Sequence, residues 1–330
     1  MTRPRHKPTR PITGPTRDSA VSNRRDELLR HPAVNGWPLF FIITLPMTAF
    51  MLAALWRFDI ASPEGTSRMI QYSVRWAVPF IYLVVAASAL PILVPGAFSR
   101  WLLRNRRYVG LVFAVAMAWQ GAFIFVMSTV YSAYYYDEVY YLRDELEGSS
   151  GYLFLAAMVI TSFHFGRRHL SPSQWKVLHR SGVYFLWAYP FSVYWWNLYF
   201  YKTAAPIDYV FYWAGFLAFA ARIAAWGKRR GLQARGAERV AVSVPARTLG
   251  LLLIAAGLGA AATGLYWQDQ VTAALTAARW SATLELWLPF WPFEPFLPLM
   301  IMGVGTWLVT GGLGSESDRG LDAASTAGAR

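Results

Sequence analysis

The 330-residue chain contains no cysteine, which excludes disulfides, thiolate metal sites, iron–sulfur clusters and thiol catalysis. Charged residues are also scarce, at 15% of the chain, whereas soluble globular domains carry about 25%. Hydrophobic residues make up 55% of the chain and aromatic residues 17%. Charged residues are missing from apolar runs of about 20 residues, each long enough to cross a bilayer. The composition therefore excludes an ordinary soluble domain and predicts an integral membrane protein with many spans.

Eight apolar runs predict transmembrane helices and an all-α fold. They cover residues 37–56, 76–98, 108–131, 151–166, 176–198, 209–226, 248–267 and 296–313. The last two runs are richer in Ala, Gly and Leu than in Trp and Tyr. We therefore divide the membrane region into a six-helix unit at 36–226 and a two-helix addition at 247–313, joined by a basic cytoplasmic linker at 227–246.

The formal net charge of +13 comes from basic residues that concentrate in alternate loops, which hold 25 of the 31 Lys and Arg residues. By the positive-inside rule, both termini face the cytoplasm of a bacterial-type inner membrane. Residues 1–35 read as a basic, disordered extension and residues 314–330 as a flexible tail, both cytoplasmic. The extension either contacts anionic lipid headgroups or only fixes the topology, and no nucleic-acid partner is expected.

The remaining loops are acidic and aromatic. Tyr135, Asp137 and Glu138 lie between the third and fourth spans, and Trp287 and Trp291 precede the last span. Such clusters bind cationic partners or pack on another subunit, and the alternative is an interfacial aromatic belt with a solvated acidic face. We predict that these five residues contact other membrane protein subunits.

Motifs of soluble-type catalysis are missing from the sequence. There is no phosphate-binding Gly-rich loop, no paired metal-binding His motif and no Ser-His-Asp order that would share one membrane depth. Of the five histidines, only His164, His169 and His179 lie near the predicted core, and all three flank the loop at 166–175. No catalytic residue and no metal ligand is assigned.

Two short motifs carry a family resemblance. SQWKVLHR at 173–180 leads from a basic loop into an aromatic helix, and RRYVGL at 106–111 opens the third span. With them, residues 67–226 resemble the ferric-reductase-like transmembrane family, and most of all the haem-binding membrane subunit of the bacterial methionine sulfoxide reductase system. The resemblance implies six helices, with haem b between histidines of the third and fifth spans, and electron transfer from the cytoplasmic to the outer face.

The resemblance also identifies ligand positions, and this sequence departs from them. His179 stands at the inner ligand position of the fifth span, but Gln120 and Ser192 stand where both outer ligands are expected. Neither is a usual haem ligand. Gln120 and Ser192 are therefore expected to face a former haem space and to share a hydrogen bond there. An inner haem would use His179, with His164 as a second donor and Arg107 as a partner of the propionates.

The former haem space has several candidate contents. A lipid tail, a quinone or a pigment could occupy it, and filling by aromatic side chains is the default expectation.

Two functions from different classes follow. The leading interpretation, which assigns no cofactor, is a non-catalytic integral membrane subunit with a structural or assembly role in a larger, energy-transducing membrane complex. It is built on a degenerate ferric-reductase-like bundle. The alternative is a single-haem b-type electron-transfer protein using His179, which would be the membrane subunit of an oxidoreductase. A transporter is disfavoured, because no intramembrane carboxylate marks an ion site.

Overall fold

The computed structural model describes residues 27–202, 204–236, 242–279 and 281–311. Within these ranges the chain is helical and has no strand, so the all-α prediction is confirmed for that part of the protein. Residues 1–26 of the predicted extension, 237–241 of the predicted linker and the whole predicted tail lie outside the described residues.

Ten helices of seven or more residues form the described fold. In chain order they are α1 Gly36–Arg57, α2 Pro63–Ala86, α3 Ala97–Val130, α4 Leu142–Thr161, α5 Pro172–Trp195, α6 Pro206–Gly236, α7 Val244–Ala262, α8 Gly264–Leu275, α9 Ser281–Trp287 and α10 Leu297–Val309. Short helical turns at Pro32–Val34, Leu90–Leu93, Ser132–Tyr134, Tyr135–Val139, His164–Arg167, Trp196–Phe200 and Glu294–Phe296 connect them.

Five helices, α1, α2, α3, α6 and α7, are long and apolar enough to cross a membrane. Their exposed surfaces carry large apolar side chains such as Phe41, Leu45 and Leu252, which suit contact with lipid. The chain is thus an all-α membrane protein, but the predicted number of eight spans is not confirmed. Three helices at predicted spans, α4, α5 and α10, are not among the five candidates. The first turns of α4 contain four charged residues, and α5 is rich in basic and aromatic residues. Helix α10 has only 13 residues.

Serine and proline residues start several of these helices. Ser62, Ser171 and Ser243 are N-caps, and each is followed by a proline at the start of its helix. Ser171 forms a capping box with Gln174, in which the Ser171 hydroxyl accepts from the Gln174 N–H at 3.2 Å and the Gln174 side chain accepts from the Ser171 N–H at 2.9 Å. The basic loop at 166–175 therefore ends at a well-defined helix start.

Helix α5 lies at the centre of the bundle, between α2, α4 and α6. Trp187, Phe191 and Trp195 are buried along it and pack against aromatic residues of α6, including Tyr212. Because protein rather than lipid surrounds these side chains, α5 needs less apolar character than a lipid-facing helix. Its aromatic composition thus reflects a core position.

The bundle has one basic end and one acidic end. At the basic end, Arg104 of α3 donates to the carbonyl of Leu29 and to Asn35, and Arg230 of α6 donates to Thr310. The contacts of Arg104 hold residues 27–35, predicted as disordered, in helical turns before α1. This arrangement agrees with the alternating loop charges, and which end faces the cytoplasm stays a prediction.

The C-terminal helices pack directly on the first six. Helix α10 contacts α7 through Gly250, Gly257 and Gly305, at which an added Cβ would meet backbone oxygens. The segment before α10 reaches the centre of the bundle, since Phe290 packs on Phe185 of α5 with ring centroids 4.9 Å apart. The division into a six-helix unit and a two-helix addition stays a prediction.

Candidate functional site

The predicted haem ligand His179 is engaged by neighbouring side chains. Its Nε2 lies 3.0 Å from the hydroxyl oxygen of Thr161, at the end of α4. Its imidazole lies against the Trp175 ring, with centroids 4.3 Å apart, and the Trp175 indole donates to the Thr161 carbonyl at 3.1 Å. These contacts, in which His179 takes part, join the end of α4 to the start of α5.

The other predicted inner-haem residues are not brought together around His179. His164 begins the short helix His164–Arg167 and is exposed, and no described hydrogen bond or ring contact joins it to His179. Arg107 lies over the ring of Phe163, at 5.1 Å from its centroid, and is exposed. The predicted inner haem needs donors from His179 and His164 on opposite sides of one iron. The described residues of this region do not fit that requirement.

We therefore expect no b-type haem signal from this protein. The measurement is a dithionite-reduced minus oxidised absorption spectrum of protein purified in mild detergent from its own membrane. A b-type band that disappears in His179→Ala but persists in the exposed-histidine variant His169→Ala would contradict the expectation.

Of the two residues predicted to face a former haem space, Gln120 lines a small cavity of about 100 Å³ between α2, α3, α4 and α5, whereas Ser192 does not line it. Ligand sites for small molecules usually measure about 300–1,000 Å³, so this cavity is too small for a haem or a quinone. Gln120 lies on it, and its Oε1 accepts from the Tyr152 hydroxyl at 3.1 Å. The expected hydrogen bond between Gln120 and Ser192 does not form, because the Ser192 hydroxyl donates to the Tyr189 carbonyl of its own helix.

No protein-family model, curated protein or solved structure matches this chain. The resemblance to the ferric-reductase-like family thus stays a prediction from the two motifs.

At the opposite end of the bundle, residues 135–147 and 281–296 form a surface that we call the acidic cap. It holds seven carboxylates and one basic residue, Arg143. The Arg143 guanidinium donates to the Trp291 carbonyl at 2.8 Å and lies 3.5 Å from a Glu285 oxygen and 3.8 Å from a Glu147 oxygen. Arg143 thereby holds the two segments of the cap together.

The five predicted partner-binding residues divide into buried and exposed ones. Tyr135 and Trp291 are each only 7% exposed, so both support the cap from inside and neither offers a docking surface. The Tyr135 hydroxyl donates to Glu145, and Trp291 packs on Phe293. Trp287 is 74% exposed, and Asp137 and Glu138 are also exposed. A partner-binding role for these three stays a prediction.

Two carboxyl groups of the cap are buried. Burial raises the pKa of Glu147, although the backbone N–H of Phe290, which donates to it at 2.8 Å, and nearby Arg143 oppose that rise. Burial raises the pKa of Glu294 to about 7, against a hydrogen bond with Thr272 that lowers it. One oxygen of Glu294 has no hydrogen-bond partner in the described part of the chain. Both groups tie α4 and α8 to the segment before α10.

The sequence interpretation missed the central role of Arg143. A signal was present, because Arg143 is the single basic residue within a strongly acidic segment, and such a residue becomes the common partner of its neighbours. Its contacts with Glu285 and Trp291, more than 140 positions away, could not be inferred from spacing along the chain.

Proposed function

We propose that this chain is a non-catalytic integral membrane subunit with a structural or assembly role in a larger, energy-transducing membrane complex. In this proposal the first six helices are a degenerate ferric-reductase-like bundle that no longer carries electrons. The observation that supports it best is the exposed aromatic and apolar surface of the acidic cap, which lies outside the five candidate spans.

Several large side chains of the acidic cap are open to solvent. Tyr136 is 61% and Trp287 74% exposed, and Val139, Tyr140, Leu142 and Leu146 are also exposed. Exposed apolar and aromatic side chains on a segment outside the five candidate spans support a protein interaction site, because Trp and Tyr are enriched at such sites.

The charge of the cap indicates the kind of partner. Five of the seven carboxylates are not buried and stand against one arginine, which favours a partner whose contact surface is basic, since complementary potentials speed association and exclude wrong partners. The contacts of Arg143 with both cap segments pre-organise the surface, which lowers the entropic cost of binding.

The membrane arrangement belongs to the same proposal. With the basic end of the bundle in the cytoplasm, the acidic cap lies on the outer face of a bacterial-type inner membrane. Helices α4, α5 and α10 would then complete an eight-span topology, with α5 shielded from lipid by its neighbours.

A matched pair of variants tests the proposal. Glu138→Gln/Trp287→Ala removes a carboxylate and an exposed tryptophan from the cap. Glu64→Gln/Trp56→Ala is the control, because it removes an exposed carboxylate and an exposed tryptophan outside the cap. Loss of a central interface tryptophan costs about 2 kcal/mol or more, so we expect the cap variant to lower the assembled fraction at least tenfold. Blue-native electrophoresis of native membranes at native expression levels measures that fraction.

The control variant should assemble like wild type. The proposal is wrong if wild-type protein at native levels migrates as a monomer, or if both double variants assemble to the same extent.

A further inference from the structure

A large crevice lies between α5, α6, α10 and the turn Leu90–Leu93. Its volume is about 690 Å³, within the range of about 300–1,000 Å³ that is typical of ligand sites. Trp187, Phe219 and Phe296 line it, and the Trp187 ring contacts the rings of both phenylalanines. The interior therefore suits a long apolar group.

The mouth of the crevice is basic. Arg180 of α5 and Arg222 and Arg229 of α6 line it, and the lining includes no carboxylate. Arg222 is fixed in place, because it donates to the Ser88 hydroxyl at 2.6 Å and lies 4.9 Å from the centroid of the Tyr184 ring. Arg180 and Arg229 are exposed and have no hydrogen bond or ion pair within the described ranges.

Residues typical of the membrane interface lie at the mouth of the crevice. Trp226, which is 41% exposed, lies at the mouth, and Arg230 lies over its ring at 5.2 Å. Tryptophan with arginine at the end of a candidate span is typical of the membrane interface. With Trp226 and Arg230 at the headgroup level, the crevice would run along the candidate span α6 into the hydrocarbon region, which rests on the eight-span arrangement proposed above.

We propose that this crevice binds an anionic glycerophospholipid. The phosphate pairs with Arg180 and Arg229, and an acyl chain lies along Trp187, Phe219 and Phe296. Basic pockets between transmembrane helices are known binding sites for anionic lipid headgroups. A neutral quinone would fill the aromatic interior but would leave both arginines without partners. The bound lipid would join α5 and α6 to α10.

The test uses the full-length protein reconstituted in vesicles of equal amounts of phosphatidylglycerol and phosphatidylcholine with a minor fraction of neutral quinone. Native mass spectrometry after extraction in mild detergent identifies the retained molecules. We expect phosphatidylglycerol to be retained over phosphatidylcholine by about tenfold, because the choline ammonium of phosphatidylcholine offsets its phosphate charge whereas the phosphatidylglycerol headgroup keeps a net negative charge for Arg180 and Arg229. Arg180→Gln/Arg229→Gln should abolish this preference. Arg100→Gln/Arg168→Gln, which removes two exposed arginines outside the crevice, should leave it unchanged.

A second variant fills the crevice without changing its charge. A Cβ added at Gly303 meets open space, and Gly303 lines the crevice, so Gly303→Leu should exclude the acyl chain and reduce the retained phosphatidylglycerol at least fivefold. Leucine also has the better helix propensity, so α10 should remain folded. The matched control is Gly259→Leu on α7, where an added Cβ also meets open space.

Equal retention of phosphatidylglycerol by wild type and the Arg180→Gln/Arg229→Gln variant overturns the proposal. So does retention of quinone in place of phospholipid, or full retention by Gly303→Leu.

Discussion

Replacing Gly250 with leucine should separate α7 from α10 and destabilise the protein strongly. A Cβ at Gly250 would lie 2.7 Å from the carbonyl oxygen of Gly305 and 2.6 Å from a Val309 methyl group. A Cβ at Gly305 would in turn lie 2.5 Å from the carbonyl oxygen of Gly250. Small residues let two helices approach this closely within a membrane, and backbone atoms cannot move aside as a flexible side chain can.

The expected cost is that of overpacking against backbone, about 3 kcal/mol. It should lower the melting temperature in mild detergent by roughly 6–12 °C. Gly259→Leu on the same helix is the control, since its Cβ meets nothing within 4 Å, and its melting temperature should be unchanged or slightly higher. Equal melting temperatures for the two leucine variants would show that α7 and α10 do not pack as described.

Glu294 should make the stability of the protein depend on pH between about 4.5 and 7. Its carboxyl is fully buried in the turn before α10, and burial raises its pKa from 4.5 to about 7. Between these values the unfolded chain releases this proton while the folded protein retains it. The contribution of Glu294 to stability is therefore fully present below pH 4.5 and is lost as the pH rises to about 7.

The loss amounts to about 3 kcal/mol across that range, or roughly 6–12 °C in melting temperature. Glu294→Gln removes the titrating group. Between pH 4.5 and pH 7.5, the melting temperature of wild type should therefore fall relative to that of Glu294→Gln by the amount just given. Glu64→Gln, at an exposed glutamate on α2, should show no such change relative to wild type. Parallel pH profiles for wild type and Glu294→Gln would mean that Glu294 ionises normally in the folded protein.

Sequence patterns predicted the helices better than the spans. Apolar runs marked the apolar parts of α1, α3, α6 and α7, because the part of a helix that crosses lipid must be apolar. The basic start of α3 and the basic end of α6 each extend about ten residues beyond the predicted run. The predicted second span, 76–98, begins 13 residues after the start of α2 at Pro63. The polar first half of α2 includes Arg68, Gln71 and Arg75, and it lowered the apolar signal there.

The candidate sites were less predictable. Gln120 and Ser192 stand at the positions that the family resemblance marks for outer haem ligands, but the sequence could not show that Gln120 pairs with Tyr152 on α4. It marked the aromatic loop before α10 as a surface, yet Trp291 is buried under Arg143 while Trp287 is exposed. Two tryptophans four positions apart have the same composition signal, and only packing separates them.

The sequence by itself determined that this is a helical, cysteine-free membrane protein with basic and acidic loops in alternation, because these properties depend on apolar length and on charge at each position. The tertiary structure alone decided which helix lies at the centre, that His179 forms a hydrogen bond with Thr161, and that Arg180 and Arg229 line the same crevice. The physical reason is distance along the chain. Contacts between α5, α6 and α10 join residues up to about 120 positions apart, and their geometry depends on how whole helices pack.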